Sequence, residues 1–214
     1  MAQILSEGWE MPPGVTFLLG ENGSGKSTLV EAVAAIYPRS GARATWARDD
    51  TVGPQSSSED SPLHWHLRAE THPMASPHGF FLRAELMHSY LASVSGGKAW
   101  GEESLQERSH GESFLAVLRH RFSDRGFYLL DEPESALSFR SCLGLLALLD
   151  DVRQEGSQVL CATHSPLLAS LPGATLLQVD GTGLREVAYD DLELVRDWRS
   201  FLDDPQRFHH HLLT

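Results

Sequence analysis

One stretch near the start of the chain has the residue types and spacing to hold a polyphosphate: Gly20-Glu21-Asn22-Gly23-Ser24-Gly25-Lys26-Ser27-Thr28. It satisfies the pattern Gly-x-x-x-x-Gly-Lys-Ser/Thr. Gly20, Gly23 and Gly25 let the backbone take positive φ and come close to a ligand. The amides of such a loop, added to those of a helix start, form an anion cradle. Lys26 can reach the β- and γ-phosphates as a point charge, the Ser27 hydroxyl can hold magnesium, and Thr28 can add a phosphate contact. Lys26 and Lys98 are the only lysines beside fifteen arginines, so a lysine at this position stands out from the background.

Two later segments can supply hydrolysis. Phe127-Tyr128-Leu129-Leu130 is apolar and ends in Asp131 and Glu132. A carboxylate at such a strand tip can bind magnesium through water, as a Walker-B aspartate does. Glu132, one residue on, can aim at a water beyond the γ-phosphate as general base. Gln158-Val159-Leu160-Cys161-Ala162-Thr163 is another apolar strand and ends in His164. A histidine at that level is suited to phosphate contact, although a lone histidine is more often structural.

The elements that must position these groups alternate along the chain. Val15–Leu19 reads as a buried strand and Thr28–Ile36 as a helix, which gives the glycine loop its strand–turn–helix setting. Gly79–Glu85 starts as a buried strand and ends polar; Leu86–Val94 reads as a helix. Phe114–Phe122 is a further helix, with Ser109 and Glu112 at capping-box spacing before it. A helix follows from Phe139 to Gln154, closed by Gly156. A hairpin spans Thr175–Asp180 and Leu184–Tyr189. Asp190 is expected to cap a helix reaching Leu202, and Pro205 to start a short one. Ile4-Leu5 suggests the stub of a strand, and Trp9 a packing residue. Residues 54–62, rich in Ser and Pro, read as a loop. The histidines at His64, His66, His72, His78 and His88 are too scattered for a metal site.

Composition narrows the class. A chain of 214 residues suits one domain with a full core. Net charge is −12, and both halves are acidic, which disfavours a dedicated nucleic-acid surface. Local arginines or a partner could still form one. No apolar run approaches a membrane span, and no signal-peptide pattern opens the chain. Cys142 and Cys161 are too few for a disulfide framework, and Cys161 reads as a small buried residue. A bacterial-type cytoplasm is the expected setting.

The order of these motifs carries a resemblance. The glycine loop, then Ser109-x-Gly111-Glu112, Leu129-Leu130-Asp131-Glu132-Pro133, Ser135-Ala136-Leu137 and Thr163-His164-Ser165-Pro166 resemble an ATP-binding-cassette ATPase head. The chain is more closely similar to the small predicted bacterial ATPases grouped with SMC and RecF-like AAA proteins. Phe80-Phe81-Leu82-Arg83-Ala84-Glu85 is shared with that group. The resemblance covers nearly the whole chain. It implies that Lys26 and the amides of residues 20–28 bind the phosphates of ATP, and that Ser27 and Asp131 hold Mg2+. Glu132 would polarise the attacking water, and His164 would sense the γ-phosphate. Ser109, Gly111 and Glu112 would form the signature that contacts ATP bound to the opposite subunit. A homodimer that sandwiches ATP, with Ser135-Ala136-Leu137 at its interface, follows from the same resemblance.

There are three departures. Arg108 and His110 replace residues of the transporter signature Leu-Ser-Gly-Gly-Gln, which argues against a transporter subunit. No glutamine follows Phe80-Phe81-Leu82, so Arg83 or Glu85 is expected to substitute. The aromatic that stacks on adenine normally lies upstream of where this sequence starts; either Trp9 replaces it or the first strands are missing. The expected architecture is a single α/β P-loop domain over residues 1–214, a mainly parallel sheet flanked by helices. A small helical and irregular lobe is expected at 37–108. The expected activity is magnesium-dependent ATP binding and hydrolysis, passed on to an effector protein. An ATP-gated module with negligible hydrolysis and a transporter ATPase are the alternatives.

Overall fold

Among the described residues, five runs of aliphatic and aromatic residues form the parallel strands: Gly14–Leu19 (β1), Gly79–Arg83 (β2), Phe127–Asp131 (β3), Gln158–Ala162 (β4) and Thr175–Val179 (β5). A parallel sheet covered on both faces needs such near-continuous apolar strands. In this computed structural model, which describes residues 2–37, 62–72, 75–76, 78–85, 110–122 and 124–212, the strand order is β2-β3-β4-β1-β5-β6. Leu184–Glu186 (β6) closes one edge antiparallel to β5. The expected helix at Leu86–Val94, most of the expected loop and Ser109 lie outside the described residues. β2 falls inside the stretch expected to form a lobe, yet it belongs to the main sheet beside β3.

The α-helices among the described residues are Ala2–Glu7 (α1), Lys26–Ile36 (α2), His110–Arg121 (α3), Phe139–Gln154 (α4), Pro166–Ala169 (α5), Glu193–Asp203 (α6) and Pro205–Leu212 (α7). Strand alternation divides the core between two faces. Val15, Phe17 and Leu19 pack with α3, α4 and α5, whereas Leu18, Leu129 and Leu160 pack with Leu29 and Val30 of α2. Cys161 is fully buried among them, as its apolar run implies.

Ile4 and Leu5 belong to a helix, not a strand stub: Gly8, at φ 75°, donates its N–H to the Ile4 carbonyl and ends α1 in the left-handed manner that glycine allows. Asp190 does not cap α6. It sits in the 3-10 turn Tyr189–Asp191 and pairs with Arg199 at 2.7 Å, and the turn follows a β6 that ends at Glu186. By contrast, α4 is capped as serine caps a helix, with Ser138 Oγ accepting from the Ser141 amide, and Gly156 follows its end at φ 82°.

Register sets the functional edge. Leu18 and Asp131 are both level with Ala162, and Arg83 is level with Asp131. The turns leaving β1, β2, β3 and β4 therefore emerge together at the carboxyl ends of the strands, where open α/β sheets bind ligands.

Candidate active site

The glycine loop joins β1 to α2. A Cβ on Gly20 would collide with the Val179 carbonyl oxygen at the end of β5, so only glycine fits there. Gly25 precedes α2 at φ 97°, and no side chain caps the helix start, which leaves its first amides to serve an anion. Glu21, Asn22 and Gly23 form the exposed lip, while Ser24, Ser27 and Thr28 are half-buried. Lys26 is only 4% exposed, and its Nζ donates to the carbonyls of Gly20 (2.8 Å) and Glu21 (2.9 Å). An ammonium has three protons to donate, so one remains for a phosphate oxygen. Burial lowers the Lys26 pKa, opposed by the carboxylates of Glu132, Asp131, Glu21 and Glu134.

Asp131 ends β3 at 5% exposure. Burial pushes its carboxyl up to about 6, against the Ser27 hydroxyl that hydrogen-bonds to it and the nearby Arg83. Oδ1 is buried and has no hydrogen-bond partner. A carboxylate oxygen left without a donor beside a serine hydroxyl is a hard-oxygen donor pair, and it fits magnesium. The residues present suit the ion that the sequence implies.

Glu132 has φ 48° and ψ 49°, and it is the sole non-glycine residue with positive φ among those described. Such a conformation costs on the order of 1–2 kcal/mol. It is imposed by the turn into Pro133–Ala136, and the Glu132 amide remains bonded to the Ala162 carbonyl at 2.9 Å. The kink carries the side chain off the strand, to 3.5 Å between Oε1 and His164 Nε2. Unexpected from sequence is Glu134. Its Oε1 accepts from Thr163 Oγ1 (2.7 Å) and from the His164 amide (2.5 Å), tying the turn after β3 to the turn after β4. Spacing gives no hint of this, because its partners lie about thirty residues away. The only available signal is a third acidic residue following a proline turn.

Lys26, Ser27, Asp131, Glu132 and His164 are thus brought to one edge. Gly111 and Glu112 lie instead in the first turn of α3. A Cβ on Gly111 would be 2.6 Å from Ser141 Oγ and 3.8 Å from Leu137, so the helix start is fitted against the turn at residues 135–137 and the first turn of α4. Phe139, at that same place, is 71% exposed. Of the two suggested substitutes for the missing glutamine, Arg83 points into the site and Glu85 lies at its exposed margin.

Comparison with known proteins gives concordant matches. A family model described as "ABC transporter" matches residues 9–135, and one described as "AAA domain, putative AbiEii toxin, Type IV TA system" matches residues 101–170. The cytochrome c biogenesis ATP-binding export protein CcmA of Rhodospirillum rubrum is 31% identical over 179 residues, covering 79% of this chain and 75% of that protein. CcmA of Maricaulis maris is 30% identical over 173 residues, covering 74% and 77%. A solved nucleotide-free ATP-binding cassette from an ABC transporter is 14% identical, with 92% of this chain and 87% of that one covered at a TM-score of 0.48.

Proposed function

Since this chain belongs to the ABC transporter family and is an ATPase of that family, we propose that it acts as a magnesium-dependent head that closes on ATP as a homodimer. The observation that carries this reading is the convergence of Lys26, Asp131, Glu132 and His164 on one sheet edge. The loop amides and Lys26 bind the β- and γ-phosphates. Ser27 and Asp131 would hold magnesium, which supplies positive charge against the phosphate oxygens. Glu132 orients a water in line with the γ-phosphate and takes its proton as the new P–O bond forms. The bond to the bridging oxygen breaks, and ADP leaves with the electron pair. His164, held by Glu134 through its amide, contacts the γ-phosphate and keeps Glu132 aimed.

The second copy would supply Ser109, Gly111 and Glu112 in trans. This is supported by the packing of Gly111 beside Leu137 and Ser141, close in sequence to the exposed Phe139. Steady-state phosphate release with magnesium and ATP, measured for the parent and Glu132→Gln with particle size alongside, tests the proposal. Turnover lost in the variant, with an ATP-trapped dimer gained, is the expected result. ATP binding with neither hydrolysis nor dimerisation would replace it with an ATP-gated module.

The likeness to CcmA favours a second reading, in which the head drives an export complex in the membrane. No helix among the described residues is long and apolar enough to cross a bilayer, so that reading requires a separate membrane subunit. Co-purification with such a subunit decides between the two, and both place the head on the cytoplasmic side, where ATP is found.

A further inference from the structure

Arg83 takes no part in the chemistry above, yet its guanidinium lies in the site. It ends β2 level with Asp131 of β3, so the two side chains leave the sheet on the same face. Its Nη1 is 2.7 Å from Glu31 Oε1 on α2, and its Nη2 is 3.9 Å from Glu85. Its Nε is 3.5 Å from Asp131 Oδ2, and that nitrogen is buried without a hydrogen-bond partner. The group is therefore anchored on Glu31 and engages Asp131 by charge alone. Arginine keeps that charge at every accessible pH. Lys26, whose ammonium interacts with Asp131, spends two of its protons on the carbonyls of Gly20 and Glu21.

We infer that Arg83 is a resident cation at the metal-binding carboxylate, which offsets Asp131 before nucleotide arrives and then competes with the divalent ion for it. The charge at residue 83 thus sets how much magnesium the site requires. Arg83 is a positioning residue here, and the inference rests on the reading of the site as one for magnesium and ATP. Glu31 is what makes the exchange possible. It holds the guanidinium through Nη1, so that Asp131 can turn its charge to the ion without leaving Arg83 unpaired.

The test is binding of methylanthraniloyl-ATP followed by fluorescence while magnesium is titrated at pH 8. A neighbouring charge at this range shifts an equilibrium by roughly tenfold to a thousandfold, and partial solvent screening favours the lower end. Arg83→Met, which removes the charge without adding an oxygen that could ligate the ion, should therefore lower the half-saturating magnesium concentration about tenfold. Arg83→Lys, which keeps the charge, should stay close to the parent. Glu31→Gln removes the anchor, lets the guanidinium settle on Asp131, and should raise the midpoint. An unchanged or raised midpoint in Arg83→Met would overturn the inference while leaving nucleotide binding intact. If the parent failed to bind the labelled ATP at all, the nucleotide reading would fall and this inference with it. Binding in EDTA, compared across the variants, shows that each retains its fold.

Discussion

Replacing Asp131 by asparagine should stabilise the metal-free protein even as it ends the use of magnesium. The carboxyl is raised from 3.8 to about 6, chiefly by burial. The folded chain therefore holds a proton on Asp131 through a window in which the unfolded chain has lost it. By linkage, this residue's contribution to unfolding free energy falls as pH rises through that window and stays low above it. A shift of about two units corresponds to about 3 kcal/mol. The asparagine side chain would occupy the same volume, keep an acceptor for Ser27 and carry no charge to bury. In EDTA, the Asp131→Asn protein should match the parent near pH 4 and exceed it by about 2–3 kcal/mol at pH 8. Urea unfolding at a series of pH values reads this directly. A difference that is flat with pH, or a variant less stable than the parent at pH 8, would refute the argument that the carboxylate is held in a costly state. Magnesium should stabilise the parent and leave the variant unmoved.

Glu134→Ala removes the acceptor of the Thr163 hydroxyl and of the His164 amide, so it should cost about 2–4 kcal/mol in urea unfolding and reduce kcat more than KM. Glu134→Gln retains an acceptor and should recover most of both; equal behaviour of the two variants would remove the tie from the account. Gly20→Ala must displace the Val179 carbonyl and should destabilise by about 1–3 kcal/mol, with weaker ATP binding in a fluorescence titration. Phe139→Ser touches no core and should shift monomer stability by less than about 0.5 kcal/mol. It should nevertheless weaken the ATP-trapped dimer of the Glu132→Gln background in size-exclusion runs, and an undiminished dimer would take Phe139 off the interface.

Much of the site could be read from the chain because its physics is local. The loop at residues 20–28 needs only its own glycines and the strand and helix beside it, and Asp131 follows from an apolar strand that ends in acid. What escaped depends on contacts made across the sheet. The pairing of Arg83 with Glu31 and Asp131 requires β2 to lie against β3, and no spacing rule fixes strand order. Glu134 looks like one more acidic turn residue until β4 brings Thr163 and His164 to it. The left-handed backbone of Glu132 is likewise invisible, since glutamate has no preference for that region. α1 escapes for a simpler reason: six residues carry too little periodicity to separate a helix turn from a strand stub.

The position of β1 in the sheet also bears on how the protein is made. β1 pairs only with β4 and β5, so the strand that carries the glycine loop has no backbone partner until residues 158–179 have been synthesised. From Leu19 to Gln158 is about 140 residues, which at ribosomal rates means roughly 7–30 s of waiting. During that interval the aliphatic run Val15–Leu19 is an unpaired edge, open to other chains. The nucleotide loop is thus encoded early but assembled late, and conditions that slow translation between β1 and β4 should lower the yield of active protein more than its folded stability would suggest.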